Sequence, residues 1–158
     1  MTETESTWQA QIDADVDASL SEMSTIAVIG LSPKTERDSH RVSAYMQQHG
    51  YRIIPINPAA AGTEILGERV YSSVSEAQEA LPEVEIDTVN VFRRSIDTDK
   101  PIADAIAARA DGVRTIWLQL GIVNAEGLER AREAGLFAIE DKCLMVEHRR
   151  LVSRDRVR

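Results

Sequence analysis

Apolar residues along the chain fall into short runs that alternate with longer amphipathic stretches. The runs are rich in valine and isoleucine, which is typical of strands buried on both faces of a parallel sheet. Their predicted bounds are 25–29, 51–57, 87–92, 115–121 and 136–140. Helical spacing and capping signals between the runs predict helices at about 39–49, 75–81, 101–110, 124–134 and 144–150.

This alternation of strand and helix is typical of an α/β protein. Because β-α-β crossovers are right-handed, we expect a doubly wound, five-stranded parallel sheet of Rossmann-like type, with strand order 3-2-1-4-5. The sequence shows no linker that would split this unit. We therefore divide the chain into a tail and added helix at 1–23, one Rossmann-like domain at 24–150 and a basic C-terminal tail at 151–158.

The added N-terminal helix is predicted from apolar residues that recur every four positions. Residues 1–7 are expected to be a frayed tail, and the helix itself spans 7–21, where Trp8, Ile12, Val16 and Leu20 share one face. Such a face covers either the sheet of its own chain or a partner. A homodimer or a protein partner through helix 7–21 therefore stays open.

Composition and charge narrow the function classes. The formal net charge of -8 disfavours a nucleic-acid or anionic-membrane partner, since those proteins need a basic field. No apolar run approaches the roughly 20 residues that span a bilayer, and the acidic N-terminus is unlike a signal peptide. The single Cys143 and three scattered histidines give no disulfide and no metal-ligand spacing. We expect a cytoplasmic protein without a metal.

Ligands of doubly wound sheets bind beyond the carboxyl ends of the strands, where the strand order reverses. In the predicted order, that point lies between the first and fourth strands. The loop after the first strand combines a glycine, hydroxyls and cations ahead of a helix start, a set suited to phosphate. Its candidate binding residues are Gly30, Leu31, Ser32, Lys34, Arg37 and Ser39. The other strand ends add Asn57, Pro58, Phe92, Arg93, Arg94, Gln119, Gly121 and Ile122.

Two familiar nucleotide motifs do not fit this loop. A dinucleotide site needs G-x-G-x-x-G and an acidic residue after the second strand, whereas the loop reads G-L-S-P-K and that strand ends in Asn57. A Walker loop is also missing.

Each group of candidate residues also has an interpretation that involves no ligand. The loop after the first strand could be a solvated turn, and the two arginines could form surface ion pairs with Asp97 or Asp99. Gln119 could be a core amide whose hydrogen bonds are made within the protein.

The sequence contains no clear set of catalytic residues. Cys143 has no histidine nearby before His148, and no pair of carboxylates or Ser/His/Asp grouping has a catalytic spacing. An enzyme that uses the same pocket, either a nucleotide-dependent oxidoreductase or a thiol-dependent enzyme, is the alternative to a binding protein.

Six stretches, in order, resemble the small stand-alone CoA-binding domain proteins, which are related to the N-terminal domain of the succinyl-CoA synthetase α subunit. The resemblance covers about residues 24–150. The matching stretches are AVIGLS with R-x-S at 37–39, GYRIIPINP at 50–58, EILGERVYSSV at 64–74, VNVFRRS at 89–95, TIWLQLGIVN at 115–124 and AGLFAIEDKC at 134–143.

The resemblance implies that coenzyme A or an acyl-CoA lies across the carboxyl ends of the strands. Its nucleotide end would lie near residues 30–34 and 57–58, and its pantetheine arm would pass residues 92–94 and 119–122. The second domain and the phosphohistidine of the synthetase have no counterpart here, so ligase activity does not carry over.

Overall fold

Alternating strands and helices build the chain, as a computed structural model that describes residues 2–154 shows. The strands are β1 (Thr25–Ile29), β2 (Arg52–Ile56), β3 (Glu64–Ile65), β4 (Glu68–Arg69), β5 (Thr88–Val91), β6 (Thr115–Leu118) and β7 (Phe137–Ile139). The helices are α1 (Glu3–Glu22), α2 (Asp38–Gln48), α3 (Val74–Ala80), α4 (Asp99–Ala107), α5 (Ala125–Glu133) and α6 (Leu144–Ser153). Short 3-10 turns lie at Pro58–Ala60, Ser95–Asp97 and Ala108–Asp111. Each predicted strand and helix is present, with ends that differ by a few residues.

The main sheet is parallel and has the order β2-β1-β5-β6-β7. The predicted doubly wound, Rossmann-like fold is thereby confirmed, but the predicted strand order 3-2-1-4-5 is wrong. The third main strand, β5, lies between β1 and β6, and β2 is an edge strand. The strand order therefore reverses between β1 and β5, which moves the expected ligand edge to the ends of these two strands.

Pro55 gives the physical reason for the edge position of β2. Proline has no N–H to donate to a ladder, so it is confined to edge strands and bulges. Among residues 2–154, the outer side of β2 meets one isolated bridge, Ile56 with Tyr71, and the carbonyl of Pro55 accepts the N–H of Tyr71 there at 3.0 Å.

Two hydrophobic layers enclose the sheet. Apolar side chains of α3, α4 and α5 pack on one face, and those of α1, α2 and α6 pack on the other. The first layer is built mainly from buried Val, Ile, Leu and Ala side chains, and the second from Val, Ile and Leu together with two methionines and Trp117. This double covering explains why the strands are apolar on both faces.

Helix α1 begins four residues earlier than predicted. Thr2 forms a capping box with Glu5, because each side chain accepts the backbone N–H of the other at 2.8–3.1 Å. The predicted frayed tail at 1–7 is therefore wrong for residues 3–6, which are helical. Ile12, Val16 and Leu20 are buried against their own chain, so the apolar face that raised the question of a partner is already covered.

The C-terminal helix α6 ends at Ser153, three residues beyond its predicted end. Of the predicted basic tail at 151–158, residues 155–158 lie outside the described residues. Between residues 2 and 154, no helix is both long enough and apolar enough to cross a membrane.

Candidate functional site

The backbone of Gly30 passes against the backbone of Phe92 at the point where the strand order reverses. Gly30 has φ +88°, and a Cβ atom built on it would lie 2.3 Å from the carbonyl oxygen of Phe92. The Gly30 N–H donates to the carbonyl of Ile56 at 2.8 Å, and the Phe92 N–H donates to that of Ile29 at 2.8 Å. Only glycine fits here, and it turns the chain sharply at the end of β1.

The loop after β1 is held in shape by its own polar groups. The hydroxyl of Ser39, which is buried, accepts the N–H of Ser32 at 3.0 Å, and the hydroxyl of Ser32 accepts the N–H of Lys34 at 3.1 Å. From the neighbouring strand end, Asn57 donates through Nδ2 to the carbonyl of the buried Leu31 at 2.9 Å. The loop is thus preorganised by contacts within the chain.

A polar cleft of about 590 Å³ opens between this loop and the start of α2. Its lining residues are Gly30, Ser32, Lys34, Glu36, Arg37, Asp38, Ser39 and Phe92. Arg37 is the N-cap residue of α2, and no side chain of residues 2–154 makes a capping hydrogen bond to the free N–H groups of the first turn. Neither Lys34 nor Arg37 forms an ion pair with another of the described residues. The cleft therefore offers two unpaired cations and the positive end of a helix.

A second cleft, of about 310 Å³, lies on the other side of the same strand ends and is more apolar. Its lining residues are Ile29, Ile56, Pro58, Ser72, Ser73, Val74, Arg93, Asp97, Lys100, Pro101 and Asp104. The adjacent pairs Ile29–Gly30 and Phe92–Arg93 each contribute one residue to each cleft. The two clefts therefore meet at the reversal between β1 and β5.

The two arginines after β5 have different surroundings. Arg94 donates through Nε to Asp97 at 2.9 Å and is 76% exposed, which fits the surface ion pair that the sequence left open. Arg93 lines the apolar cleft and makes no ion pair with any residue between 2 and 154. Of the two, Arg93 is the arginine that faces a cavity.

Gln119 lies apart from both clefts. It is 5% exposed, and its Oε1 accepts from Asn90 Nδ2 at 3.4 Å and from the N–H of Leu144 at 3.3 Å. Gly121 and Ile122 form a turn at the end of β6, in which Gly121 donates its N–H to Asp141 at 2.7 Å. These three candidates therefore lie at the end of β6 and line neither cleft. The Gln119 side chain is hydrogen-bonded in the core.

Sequence reasoning missed the contribution of the residues before α3 and on α4. Ser73 caps α3, and it also lines the apolar cleft together with Ser72. The carboxylate of Glu76 accepts from the hydroxyl and N–H of Ser72, and these hydrogen bonds lower the pKa of Glu76. The adjacent serines Ser72 and Ser73, just before the predicted helix at 75–81, are the sequence feature that indicates this contribution.

Cys143 is half-buried and directly precedes α6. The histidine nearest to it in sequence, His148, is buried, and its Nδ1 lies 2.9 Å from the hydroxyl of Tyr45. Among the described residues, no group of three or more His, Cys, Asp or Glu side chains is placed to hold a metal ion.

The chain is similar in sequence and in fold to several known proteins. The Bacillus subtilis (strain 168) protein YneT is 37% identical over 145 residues, which cover 85% of this chain and 93% of YneT. A structure from Thermus thermophilus is 36% identical with a TM-score of 0.76, and the match covers 88% of this chain and 98% of the other.

A hypothetical protein from Pyrococcus horikoshii OT3 is 35% identical with a TM-score of 0.76, covering 89% of this chain and 92% of its own. A family model described as the CoA binding domain matches residues 24–149, which include both clefts and all the strands of the sheet. The chain therefore belongs to the CoA binding domain family.

Proposed function

We propose that this protein binds coenzyme A or an acyl-CoA across the ends of β1, β2 and β5, and that it does so without converting the ligand. The observation that carries the proposal is the junction of two unlike clefts at Gly30 and Phe92. A polar cleft with unpaired cations suits phosphate groups, and a more apolar cleft suits an uncharged part of the same molecule.

The phosphate groups belong to the polar cleft in this proposal. Lys34 and Arg37 supply charge, and the uncapped first turn of α2 supplies N–H donors. Because Ser32, Ser39 and Asn57 already fix the loop, little ordering is needed on binding, and that favours affinity.

The apolar cleft receives an uncharged or heterocyclic part of the ligand. Ile29, Ile56 and Val74 give it apolar walls, and Arg93 at its rim is able to stack on a ring or to contact a phosphate. CoA combines a heterocycle, phosphates and a long uncharged arm, so it matches both clefts at once.

Thermal unfolding with a ligand panel tests the proposal. The protein is heated with CoA, dephospho-CoA, pantetheine, NAD, NADP or ATP at equal concentrations. CoA at 100 times its Kd should stabilise the fold by about 2.7 kcal/mol. A shift in Tm with NAD and none with CoA would overturn the proposal.

A second measurement addresses the absence of conversion. The purified protein is incubated with an acyl-CoA, and the free thiol is followed over time. We expect the rate to equal that of the buffer, and to be the same for Cys143→Ser. A protein-dependent release that Cys143→Ser abolishes would instead identify a thiol-dependent enzyme.

A further inference from the structure

Apolar side chains are exposed beside the proposed binding edge. Of the five large apolar side chains that are exposed between residues 2 and 154, three lie in two loops at the carboxyl ends of β5 and β6. Ile96 is 78% exposed, Leu120 is 65% exposed and Val123 is 48% exposed. We call these three residues the rim patch.

The two loops of the rim patch are joined to one another. The N–H of Val123 donates to the hydroxyl of Ser95 at 3.0 Å, which places Val123 beside the residue before Ile96. Leu120 is in the turn that the Ile122 N–H closes on the Gln119 carbonyl at 2.9 Å. The two loops that carry the exposed side chains are therefore in direct contact.

The Ile96 end of the rim patch adjoins the apolar cleft along the chain. Ile96 lies between Ser95 and Asp97 in the 3-10 turn, and Asp97 lines the cleft together with Arg93. Exposed apolar patches next to a cavity mark surfaces that a binding partner covers.

The size of the rim patch decides between two occupants. A stable protein–protein interface needs about 800 Å² per partner and roughly 20–30 residues a side. Three side chains on two loops fall well below that extent, whereas a short hydrocarbon chain can be covered by them. The observations therefore favour a small apolar ligand group over a second copy of the chain.

We propose that the rim patch of Ile96, Leu120 and Val123 holds the acyl chain of an acyl-CoA, so that the protein prefers acylated CoA to free CoA. This inference rests on the proposed function, because it requires CoA at the adjoining clefts. Apolar contact gives affinity in proportion to the hydrocarbon that leaves water. Affinity should then rise with chain length until the chain extends beyond the patch.

Calorimetric titration with CoA and its acetyl, butanoyl, hexanoyl and octanoyl thioesters tests this inference. Each methylene that packs on the patch should tighten Kd by up to about fourfold, the factor that corresponds to about 0.8 kcal/mol per buried CH₂. The variant combining Ile96→Ser, Leu120→Ser and Val123→Ser should lose this gain and keep its Kd for free CoA within about twofold. That unchanged Kd also shows that the variant is folded.

Val146→Ser with Val152→Ser is the matched control, since these two residues are the other exposed apolar side chains and lie on α6. The control should keep the full gain with chain length. An equal gain in wild type and triple variant overturns the inference, as does CoA binding with no gain at all. Self-association that the triple variant abolishes, without a gain from chain length, assigns the patch to a second copy and also overturns it. Absence of binding by every thioester and by CoA would instead overturn the proposed function.

Discussion

The α-carbon of Gly30 faces the carbonyl oxygen of Phe92 so closely that a Cβ atom would lie 2.3 Å from that oxygen. Gly30→Ala should therefore push β1 and β5 apart at the binding edge, in addition to the strain of a positive φ, which costs roughly 1–2 kcal/mol. We expect the free energy of unfolding in urea to fall by about 2–4 kcal/mol and the affinity for CoA to fall with it.

Gly50→Ala is the matched control for this prediction. Gly50 has φ +93°, and nothing lies within 4 Å of a Cβ atom built on it. Gly50→Ala therefore introduces the backbone strain without the close contact. We expect its free energy of unfolding to fall by about 1 kcal/mol and its affinity for CoA to stay unchanged. Equal losses in the two variants would show that the Gly30–Phe92 contact has no role of its own.

The unpaired cations of the polar cleft should contribute to CoA affinity. Lys34→Ala and Arg37→Ala each remove a charge that forms no ion pair with the described residues. Charge-assisted hydrogen bonds contribute roughly 1.5–3 kcal/mol, and exposure reduces this, so we expect Kd to rise about tenfold for each variant. The affinity of the double variant should also depend less on salt concentration.

Arg130→Ala serves as the control for charge removal, because Arg130 lies on α5 and pairs with Asp99 at 3.5 Å. Titration calorimetry at two salt concentrations should find its Kd unchanged. If Arg130→Ala weakened CoA as much as Arg37→Ala, the effect would come from net charge and not from the cleft.

Gln119 should matter for stability more than for binding. Its Oε1 accepts from Asn90 Nδ2 and the Leu144 N–H, both in the buried interior. Asn90 Nδ2 also donates to the Trp117 carbonyl at 3.2 Å and keeps that acceptor in Gln119→Leu. The variant leaves the buried Leu144 N–H without its acceptor, so unfolding in urea should show a loss of about 1–3 kcal/mol. The Kd for CoA should change by less than about twofold. A large loss of affinity for CoA with little loss of stability would instead show that Gln119 contacts the ligand.

Local sequence patterns sufficed to predict the main strands and helices of this fold, but not which strands are neighbours in the sheet. Valine- and isoleucine-rich runs placed the main strands, because burial on both faces demands apolar residues throughout. The order of the strands depends on which way each crossover turns, and no local pattern encodes that choice. Pro55 was the one residue that indicated an edge position for β2, and the predicted order placed that strand inside the sheet.

The candidate site shows the same division. Gly30, Ser32 and Arg37 follow each other in sequence, so their shared loop could be predicted from that stretch alone. Ser72 and Lys100 line the apolar cleft from different elements, and only the strand order brings them there. Gln119 could be a ligand contact or a core amide on sequence grounds, because a polar residue at a strand end fits both.

Asp15 should stabilise the edge strand β7, which α1 covers. Its Oδ2 accepts the backbone N–H of Ala138 in β7 at 2.9 Å and an Arg132 N–H at 2.8 Å, in a largely buried setting. Arg132 also donates to the carbonyl of Ala138 at 2.7 Å. Asp15→Ala leaves a buried cation and an edge N–H without this acceptor, so we expect a loss of about 2–4 kcal/mol in the free energy of unfolding.

Asp13→Ala is the control on the same helix. Asp13 is largely exposed and lies 3.7 Å from Lys142, so its removal should cost less than about 1 kcal/mol. Chemical unfolding of both variants separates the two outcomes. Similar small losses would mean that water replaces the Asp15 contacts at no net cost.

Asp87 should make the stability of the fold depend on pH in the acidic range. Its carboxylate accepts the N–H groups of Ser24 and Thr25 at 3.0 and 2.9 Å and the hydroxyl of Thr88 at 2.7 Å. Burial nonetheless raises the pKa of Asp87 above its ordinary value of 3.8, because desolvation of the charge outweighs these hydrogen bonds. The folded protein therefore keeps this proton to a higher pH than the unfolded chain does.

The sign of the effect follows from that difference. Stability that Asp87 contributes below its unfolded pKa is lost as the pH rises through the raised folded pKa. Asp87→Asn carries no titrating group at this position, so the free energy of unfolding of wild type minus that of Asp87→Asn should fall as the pH rises from below 3.8 through the raised folded pKa, and stay level above it. Urea unfolding across this range measures it. A difference that rises with pH would mean that the hydrogen bonds from Ser24, Thr25 and Thr88 outweigh burial, and that the pKa is lowered instead.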